Sequence, residues 1–424
     1  MERFPYLIPH FPCRKYAGKQ QEKSLSAAAG RYSGACQLEK NEMRTTSIVI
    51  LSYNTLSYTK LCIESIRAYT RKNSYEIIVV DNASTDGSLE WLKEQRDIKL
   101  IANMENVGFP AGCNQGMQAA EPENDLLLLN SDTIVTPYWL DNLQQALYSG
   151  KDIGAVSCVT NNCSNGQSIA VDYQTVEELQ QFATGYNHSD AQKWYSWPTL
   201  VGFCFLLKRV VYDKIGGMDE RYSPGNYEDD DYSYTIRQAG YRLLLCADTF
   251  IHHFGSASFK QALDSEQTKA RQERFDKILQ ANKEKFMQKW QVSPDHKVFH
   301  GITGVLQPED AGKKVLLVRC SVGLDLCNLK RKYPQLQLSG VVLNVADKKN
   351  AVQDFPIRYV SQWENISAAI PARQDIILVL GNVRTIPDSK WVLEKLVRRL
   401  KPLGKLYYYD EQHSYCEQRN TDNV

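Results

Sequence analysis

Carboxylates that could do chemistry stand at three places in the chain. Asp81 closes the run EIIVVD, Asp132 follows LLLLN by two positions, and Glu228, Asp229, Asp230 and Asp231 stand in succession within NYEDDDY. Two histidines, His252 and His253, come later. A carboxylate can hold Mg2+ or Mn2+ through oxygen. It can also take the proton of a weakly nucleophilic hydroxyl as that oxygen attacks. Each residue has a structural reading too. An aspartate at a turn accepts hydrogen bonds from its own loop. An acidic run at a helix start meets the positive end of the dipole or forms a capping box. A histidine taken alone packs more often than it ligates.

The surrounding elements must position these groups. SIVILSYN (47–54), EIIVVDN (76–82) and LLLLN (126–130) are short apolar runs of the kind found in strands buried on both faces. Residues 98–101 give a shorter strand. Ser57 offers a cap to a helix with Cys62, Ile66 and Tyr69 on one face. Residues 88–95 read as helix, another helix follows Pro110, and Leu140, Leu143 and Leu147 mark a third. The alternation predicts an α/β domain with a mostly parallel sheet. Ligands bind beyond the carboxyl ends of such strands, so Ser52, Tyr53, Asn54, Asp81 and Asp132 are expected to share one crevice. There Asp81 could accept the imide N–H of uracil or thymine, and Asp132 could bind a divalent cation. A cation on a diphosphate would stabilise the charge that grows as a sugar–phosphate bond breaks.

Further on the pattern loosens, over 151–225. GFCFLLKR (202–209) reads as a strand feeding a helix and 229–239 as a helix. Residues 265–291 read as a long charged helix with Phe275, Leu279, Phe286 and Trp290 as its apolar stripe. Trp194, Tyr195 and Trp197 suit core packing or stacking on sugars. Gly108, Gly112 and Gly116 suit turns and close helix packing.

A chain of 424 residues exceeds one ordinary core and predicts two domains with a leader and a tail. With 43% hydrophobic and 23% charged residues it is globular in composition, and a net charge of +1 argues against a nucleic-acid partner. No stretch reaches the ~18 apolar residues of a membrane span, and Pro5, Pro9, His10 and Pro12 interrupt any signal core. The 11 cysteines are irregularly spaced without a CxxC pair, which predicts thiols in a reducing cytosol and no structural zinc. The expected location is cytoplasmic, with peripheral contact at the inner face of a membrane left open.

Several segments, in this order, resemble glycosyltransferase family 2, nucleotide-sugar transferases of the GT-A fold. SIVILSYN with EIIVVDNASTDGS looks like the family's nucleotide-binding start, and NVGFPAGCNQG (106–116) is similar to the NxGFxxGxN segment of its rhamnosyltransferase-like branch. NSD (130–132) stands in place of the DXD-type metal motif, with Asn130 replacing the first acid. GFCFLLKR and IGGMDERY (215–222) precede YEDDDYSYTIRQAGYR (227–242), which resembles the catalytic ED segment, and HHFGSASF (252–259) resembles the His-containing segment. The resemblance covers about 45–290. It implies that Tyr53, Asn54, Asp81, Asn106, Gly108, Asn114 and Asn130 hold the nucleotide sugar. It implies that Asp132 and His253, with His252 as second choice, hold Mg2+ or Mn2+. Asp229 would be the base, with Glu228 and Asp230 as alternatives. The implied reaction is an inverting transfer from a dTDP- or UDP-sugar, rhamnose being the sugar this branch suggests, to a glycan or lipid-linked acceptor in polysaccharide synthesis.

A second α/β unit starts near 312. VLLVRC (315–320), LSGVVL (338–343), DIILVL (375–380) and KLYYY (405–409) read as strands, with Leu393, Leu396, Val397 and Leu400 on a helix. Together they resemble a class I methyltransferase of Rossmann type. Arg319 and Ser321 occupy two of the positions where that family expects glycine, and the acid expected near Val342 is missing. A degenerate domain without S-adenosylmethionine is therefore expected. The expected boundaries are a poorly ordered leader at 1–44, the GT-A domain at 45–291, a linker at 292–311, the smaller Rossmann-like domain at 312–410 and a tail at 411–424. Three rivals remain. A sugar nucleotidyltransferase would need a basic Gly-rich loop, which SIVILSYNTLS lacks. A binding protein built of decayed enzyme domains would not need Asp132, Glu228, Asp229 and His253. A bifunctional transferase–methylase is opposed by Arg319 and Ser321.

Overall fold

The computed structural model describes residues 44–255, 265–294, 304–370, 373–410 and 416–419. The leader up to 43, residues 295–303 of the linker and most of the tail expected from sequence lie outside these residues, as do 256–259 of the HHFGSASF segment. The described chain forms two compact units. The first draws on Met1–Trp194, Val201–Gly225 and Cys246–Thr268, the second on Tyr195–Leu200, Asn226–Leu245 and Lys269–Val424.

In the first unit β1 (Thr46–Ser52), α1 (Leu56–Tyr69), β2 (Tyr75–Asp81), α2 (Ser88–Lys93), β3 (Ile98–Ala102), α3 (Phe109–Ala119) and β4 (Asp125–Asn130) alternate as the apolar runs imply. There follow β5 (Thr133–Ile134), α4 (Trp139–Leu147), β6 (Ile153–Val159), α5 (Val176–Tyr186), β7 (Trp194–Ser196), β8 (Cys204–Leu207) and α6 (Arg209–Ile215). Next along the chain come α7 (Glu228–Gln238), which belongs to the second unit, β9 (Arg242–Phe250), which runs from the second unit into the first, β10 (His252–His253) in the first, and α8 (Ser265–Trp290), most of it in the second. The larger sheet has the order β3-β2-β1-β4-β8-β6-β9-β7. Strands β3, β2, β1 and β4 pair in parallel, while β8 pairs antiparallel with both β4 and β6. The fold is thus mixed α/β rather than mostly parallel. The chain winds outward from β1 through β2 to β3, then returns to place β4 on the other side of β1. That reversal opens a crevice beyond the carboxyl ends of β1 and β4.

Three local expectations change. Thr55, not Ser57, precedes α1, and the Leu56 N–H is held at 2.8 Å by Asp86 Oδ2 from a distant loop. The stretch 151–225 contains a fully buried strand, β6, and a helix, α5, that opens on a capping box between Thr175 and Glu178. Leu400 starts a strand instead of ending a helix.

The second unit carries β11 (Lys314–Val318), α9 (Leu324–Lys332), β12 (Gln337–Val342), α10 (Val345–Lys349), β13 (Ile357–Tyr359), α11 (Ile366–Ala369), β14 (Gln374–Asn382), α12 (Ser389–Val397), β15 (Leu400–Tyr409) and β16 (Cys416–Arg419). Its sheet runs β13-β12-β11-β14-β15-β16, parallel except for β16. Its core lies between β11 and β14 and the helices α11 and α12, around Val318, Ile377, Ile366 and Leu396. Among the described residues no helix is long and apolar enough to cross a membrane.

Helix α3 lies close on β1 through two glycines. A Cβ on Gly112 would run into Leu51 Cδ1, and one on Gly116 into Val49 Cγ1. The leucine methyl can swing aside, but a β-branched valine in a full core cannot. Gly116→Ala is therefore expected to cost about 1–2 kcal/mol, overpacking outweighing the ~1 kcal/mol gain in helix propensity. Gly112→Ala should fall near neutrality; urea midpoints of both variants check the difference.

Candidate active site

The crevice of the first unit collects the expected polar residues. Asp81, fully buried at the end of β2, accepts from the Ser84 N–H at 3.0 Å through Oδ2, while its Oδ1 meets no hydrogen-bond partner. An unpaired buried carboxylate oxygen is costly and is suited to an N–H supplied by a ligand. Asn54 laces the loops above it, its Oδ1 accepting from the Thr85 N–H at 2.7 Å and its own N–H donating to Ser84 Oγ at 3.0 Å. Tyr53 beside it is exposed.

Three other expected nucleotide ligands have structural partners. Asn106 Oδ1 accepts from Asn82 Nδ2 and from the Gly108 N–H, both at 2.9 Å. Gly108, at φ +88°, abuts Ser223 and Pro224, where a Cβ would not fit. Asn114 spends both amide donors at 2.9 Å on the Met218 carbonyl and Glu220, and its Oδ1 accepts from the Met218 N–H. The NVGFPAGCNQG segment thus ties α3 to the loop that follows α6.

At the end of β4, Asp132 and His253 come together, with Asp132 Oδ1 3.3 Å from His253 Nε2. Strand β10 pairs His253 opposite Thr133 on β5. The other ring nitrogen, Nδ1, lies 2.8 Å from the Asn162 carbonyl. A carbonyl only accepts, so Nδ1 carries a proton, and Nε2 turns toward Asp132. Nε2 and the carboxylate oxygen can meet through a proton on the ring or through a cation held between them. An imidazole whose far nitrogen donates to a carbonyl is the usual oriented metal ligand, and the mixed N/O pair suits Mn2+ better than the oxygen-preferring Mg2+. Among the described residues no group of three or more His, Cys, Asp and Glu could hold a metal. Diphosphate oxygens or water would complete the coordination. Asn130 adds only a long contact, 3.4 Å from Nδ2 to His253 Nε2.

Sequence reasoning missed what holds this pair. Asn161 Oδ1 accepts the His253 N–H at 2.8 Å, Asn162 Nδ2 donates to the Phe254 carbonyl at 3.1 Å, and Phe203 stacks on the His253 ring with centroids 5.2 Å apart. The Asn/Gly-rich stretch NNCSNG (161–166) was readable as a self-bonded loop, but not as one folded against His253. His252, the second choice for the metal, turns to Tyr173, its Nδ1 2.7 Å from the hydroxyl. Burial first, then the neighbouring His253, lower its pKa to about 4 and keep it neutral.

The acidic run lies in the second unit, in the first turn of α7. Its members differ. Asp231 is buried and bound at 2.8 Å to both Lys289 Nζ and Trp290 Nε1, which fastens α7 to α8. Glu228 is buried with Oε2 unpartnered, and burial, then the charge of Asp229, push its pKa well up. Asp230, beside Thr199, is raised by the same two causes. Asp229 Oδ1 accepts the Asp230 N–H at 2.8 Å.

Residues 47–216 match the model of glycosyl transferase family 2. The matched stretch includes Tyr53, Asp81 and Asp132, while the acidic run and the histidines follow it. Its fold is GT-A-like. The chain is 26% identical over 229 residues to the O-antigen biosynthesis protein RfbC of Myxococcus xanthus, covering 50% of this chain and 17% of that protein. It is 31% identical over 121 residues to the putative glycosyltransferase EpsH of Bacillus subtilis (strain 168), covering 28% of this chain and 34% of that protein. The chain thus spans about a third or less of the length of these curated relatives. Among solved structures, GalNAc-T7 with UDP, GalNAc and Mn2+ aligns over 56% of this chain and 48% of its own, at 17% identity and a TM-score of 0.41.

The clamp on Asp231 separates structural from chemical acids. Asp231→Ala removes two hydrogen bonds to a buried charge and is expected to lower stability by about 2–3 kcal/mol, read as a shift in the urea midpoint.

Proposed function

We propose that the protein is an inverting, metal-dependent glycosyltransferase, moving a sugar from a dTDP- or UDP-sugar to a growing surface polysaccharide or a lipid-linked precursor. The observation that carries this reading is the facing pair of Asp132 and His253, set beside Asp81 with its unpartnered oxygen at one sheet crevice. Asp81 would accept the N–H of a pyrimidine base, and Tyr53 and Asn54 would line the nucleotide. The NVGFPAGCNQG segment favours rhamnose as the sugar. A divalent cation held by Asp132 and His253 would neutralise the charge growing on the departing diphosphate.

The acceptor hydroxyl oxygen bonds to the anomeric carbon as the bond from that carbon to the diphosphate oxygen breaks. The hydroxyl proton passes to Asp229, and the nucleoside diphosphate leaves with the bonding electrons. Asp229 would suit the role because burial, then its own charge, pushes the flanking Glu228 and Asp230 toward their neutral forms. Asn161 and Asn162 position His253 without touching the donor.

The second unit we read as a methyltransferase-like fold that does not hold S-adenosylmethionine. Its strand order reverses between β11 and β14, where such a cofactor would lie. The turn there is built on Arg319 at φ 65° and Ser321 at φ 47°, conformations that favour glycine. The Arg319 guanidinium donates to Thr385 Oγ1 at 2.9 Å and lies against Gly381, filling the close approach.

Calorimetric titration of UDP-, dTDP- and GDP-sugars with and without Mn2+ tests the first reading. One donor is expected to bind only with Mn2+. Asp132→Ala should weaken Mn2+ binding by about 10–100-fold, and Asn161→Ala by about tenfold. Asp229→Asn should bind donor normally yet lose about 10²–10⁴ in rate. A folded protein that binds no donor would instead favour a binding module built of decayed domains. The same calorimeter is expected to detect no S-adenosylmethionine binding to the full chain; a saturable isotherm would overturn the second reading.

A further inference from the structure

A cleft within the second unit lies where α7 ends, far along that helix from its acidic first turn. It is lined by Arg237, Gln238, Tyr241 and Arg242 on one side and by Lys349 and Asp354 on the other. Arg237 is the central group. Its guanidinium donates to the Pro198 carbonyl at 3.2 Å and the Asn350 carbonyl at 2.5 Å and lies over the Tyr234 ring at 5.6 Å. None of these partners is an anion. Burial lowers its pKa from the ordinary arginine value, the mark of a charge that has lost water.

The carbonyls explain why Arg237 sits at the end of a helix, where the dipole also favours a cation. They do not explain why two further cations line the same cleft. Arg242 Nη1 reaches Asp354 Oδ1 at 3.4 Å, and Lys349 is exposed at the mouth. Three cations against one carboxylate leave the lining with an excess of two positive charges. Arg237 has largely lost water while Arg242 and Lys349 keep it, so the cleft presents one desolvated and two solvated cations to an anion that enters it. A guanidinium fork matches the oxygens of a carboxylate or phosphate, and Gln238 and Tyr241 add neutral polar groups of the kind that meet sugar hydroxyls.

We propose that this cleft binds an oxyanion carried by a saccharide, either the carboxylate of a uronic acid or a phosphate ester. If the protein transfers sugar to a glycan as proposed above, the cleft would recognise a charged residue of the acceptor. The anion site itself does not depend on that reading.

The test uses the full chain. Glucuronate, glucose 1-phosphate, inorganic phosphate and neutral glucose are titrated separately by calorimetry, beside the wild-type donor titration. Saturable binding of glucuronate or glucose 1-phosphate, tighter than that of glucose, is expected. Lys349→Ala and Arg242→Gln are each expected to weaken it about tenfold while leaving donor binding unchanged. Lys349 is exposed, so its variant reports on the cleft even where Arg237→Met fails to fold. Glucuronate binding without glucose 1-phosphate binding would select the uronate source, and the converse the phosphate source. Inorganic phosphate binding as tightly as either sugar would overturn the saccharide assignment. Equal binding by wild type and both variants, or no binding of any anion, would overturn the site. Loss of donor binding in the wild type alone would count against the transferase reading and not against this one.

Discussion

The middle of a strand buried on both faces favours apolar side chains, and β1, β2 and β4 obey this. Their central residues are apolar, and the polar groups stand near the two ends, Glu76 and Asp125 at the opening and Ser52, Asp81 and Asn130 at the close. The parallel pairing of β1 with both β2 and β4 brings these ends to the same edge. Core formation thus confines carboxylates to the strand ends, and the carboxyl end is the one that opens on the crevice. Gly112 and Gly116 serve the same constraint by letting α3 close over β1.

The metal pair depends on a longer chain of supports. Asp132 leaves β4 directly, but His253 arrives from β10 and would have no fixed orientation by itself. The hydrogen bonds of Asn161 and Asn162 set its backbone and its tautomer, and Phe203 sets its ring plane. Gly255, at φ +72°, leaves room for Asn162 that no Cβ would allow. A side chain held this way would lose little freedom on taking a ligand.

Four adjacent acids have come to three different ends. Asp231 is spent on Lys289 and Trp290, Glu228 and Asp230 are pushed toward their neutral forms, and Asp229 accepts the Asp230 N–H. Neighbours on one helical turn point in different directions, so identical residue types meet different surroundings. The same helix ends on Arg237, whose carbonyl partners come from Pro198 and from Asn350, far apart in the chain.

The residue order by itself determined the alternating elements, the polar strand ends, and the likeness of residues 47–216 to family 2, because buried strands and their termini leave a local imprint. It also singled out Arg319 and Ser321, both of which take positive φ angles in the turn after β11. It did not reveal β6, whose residues IGAVSCV form a short run of small and branched side chains between irregular segments. It could not divide the labour within the acidic run or within NVGFPAGCNQG, where Asn114 turned out to brace Met218 and Glu220. Those outcomes were decided only by tertiary structure. A carboxylate's burial and a histidine's tautomer are set by partners tens of residues away, and no spacing along the chain encodes which of several like residues will meet them.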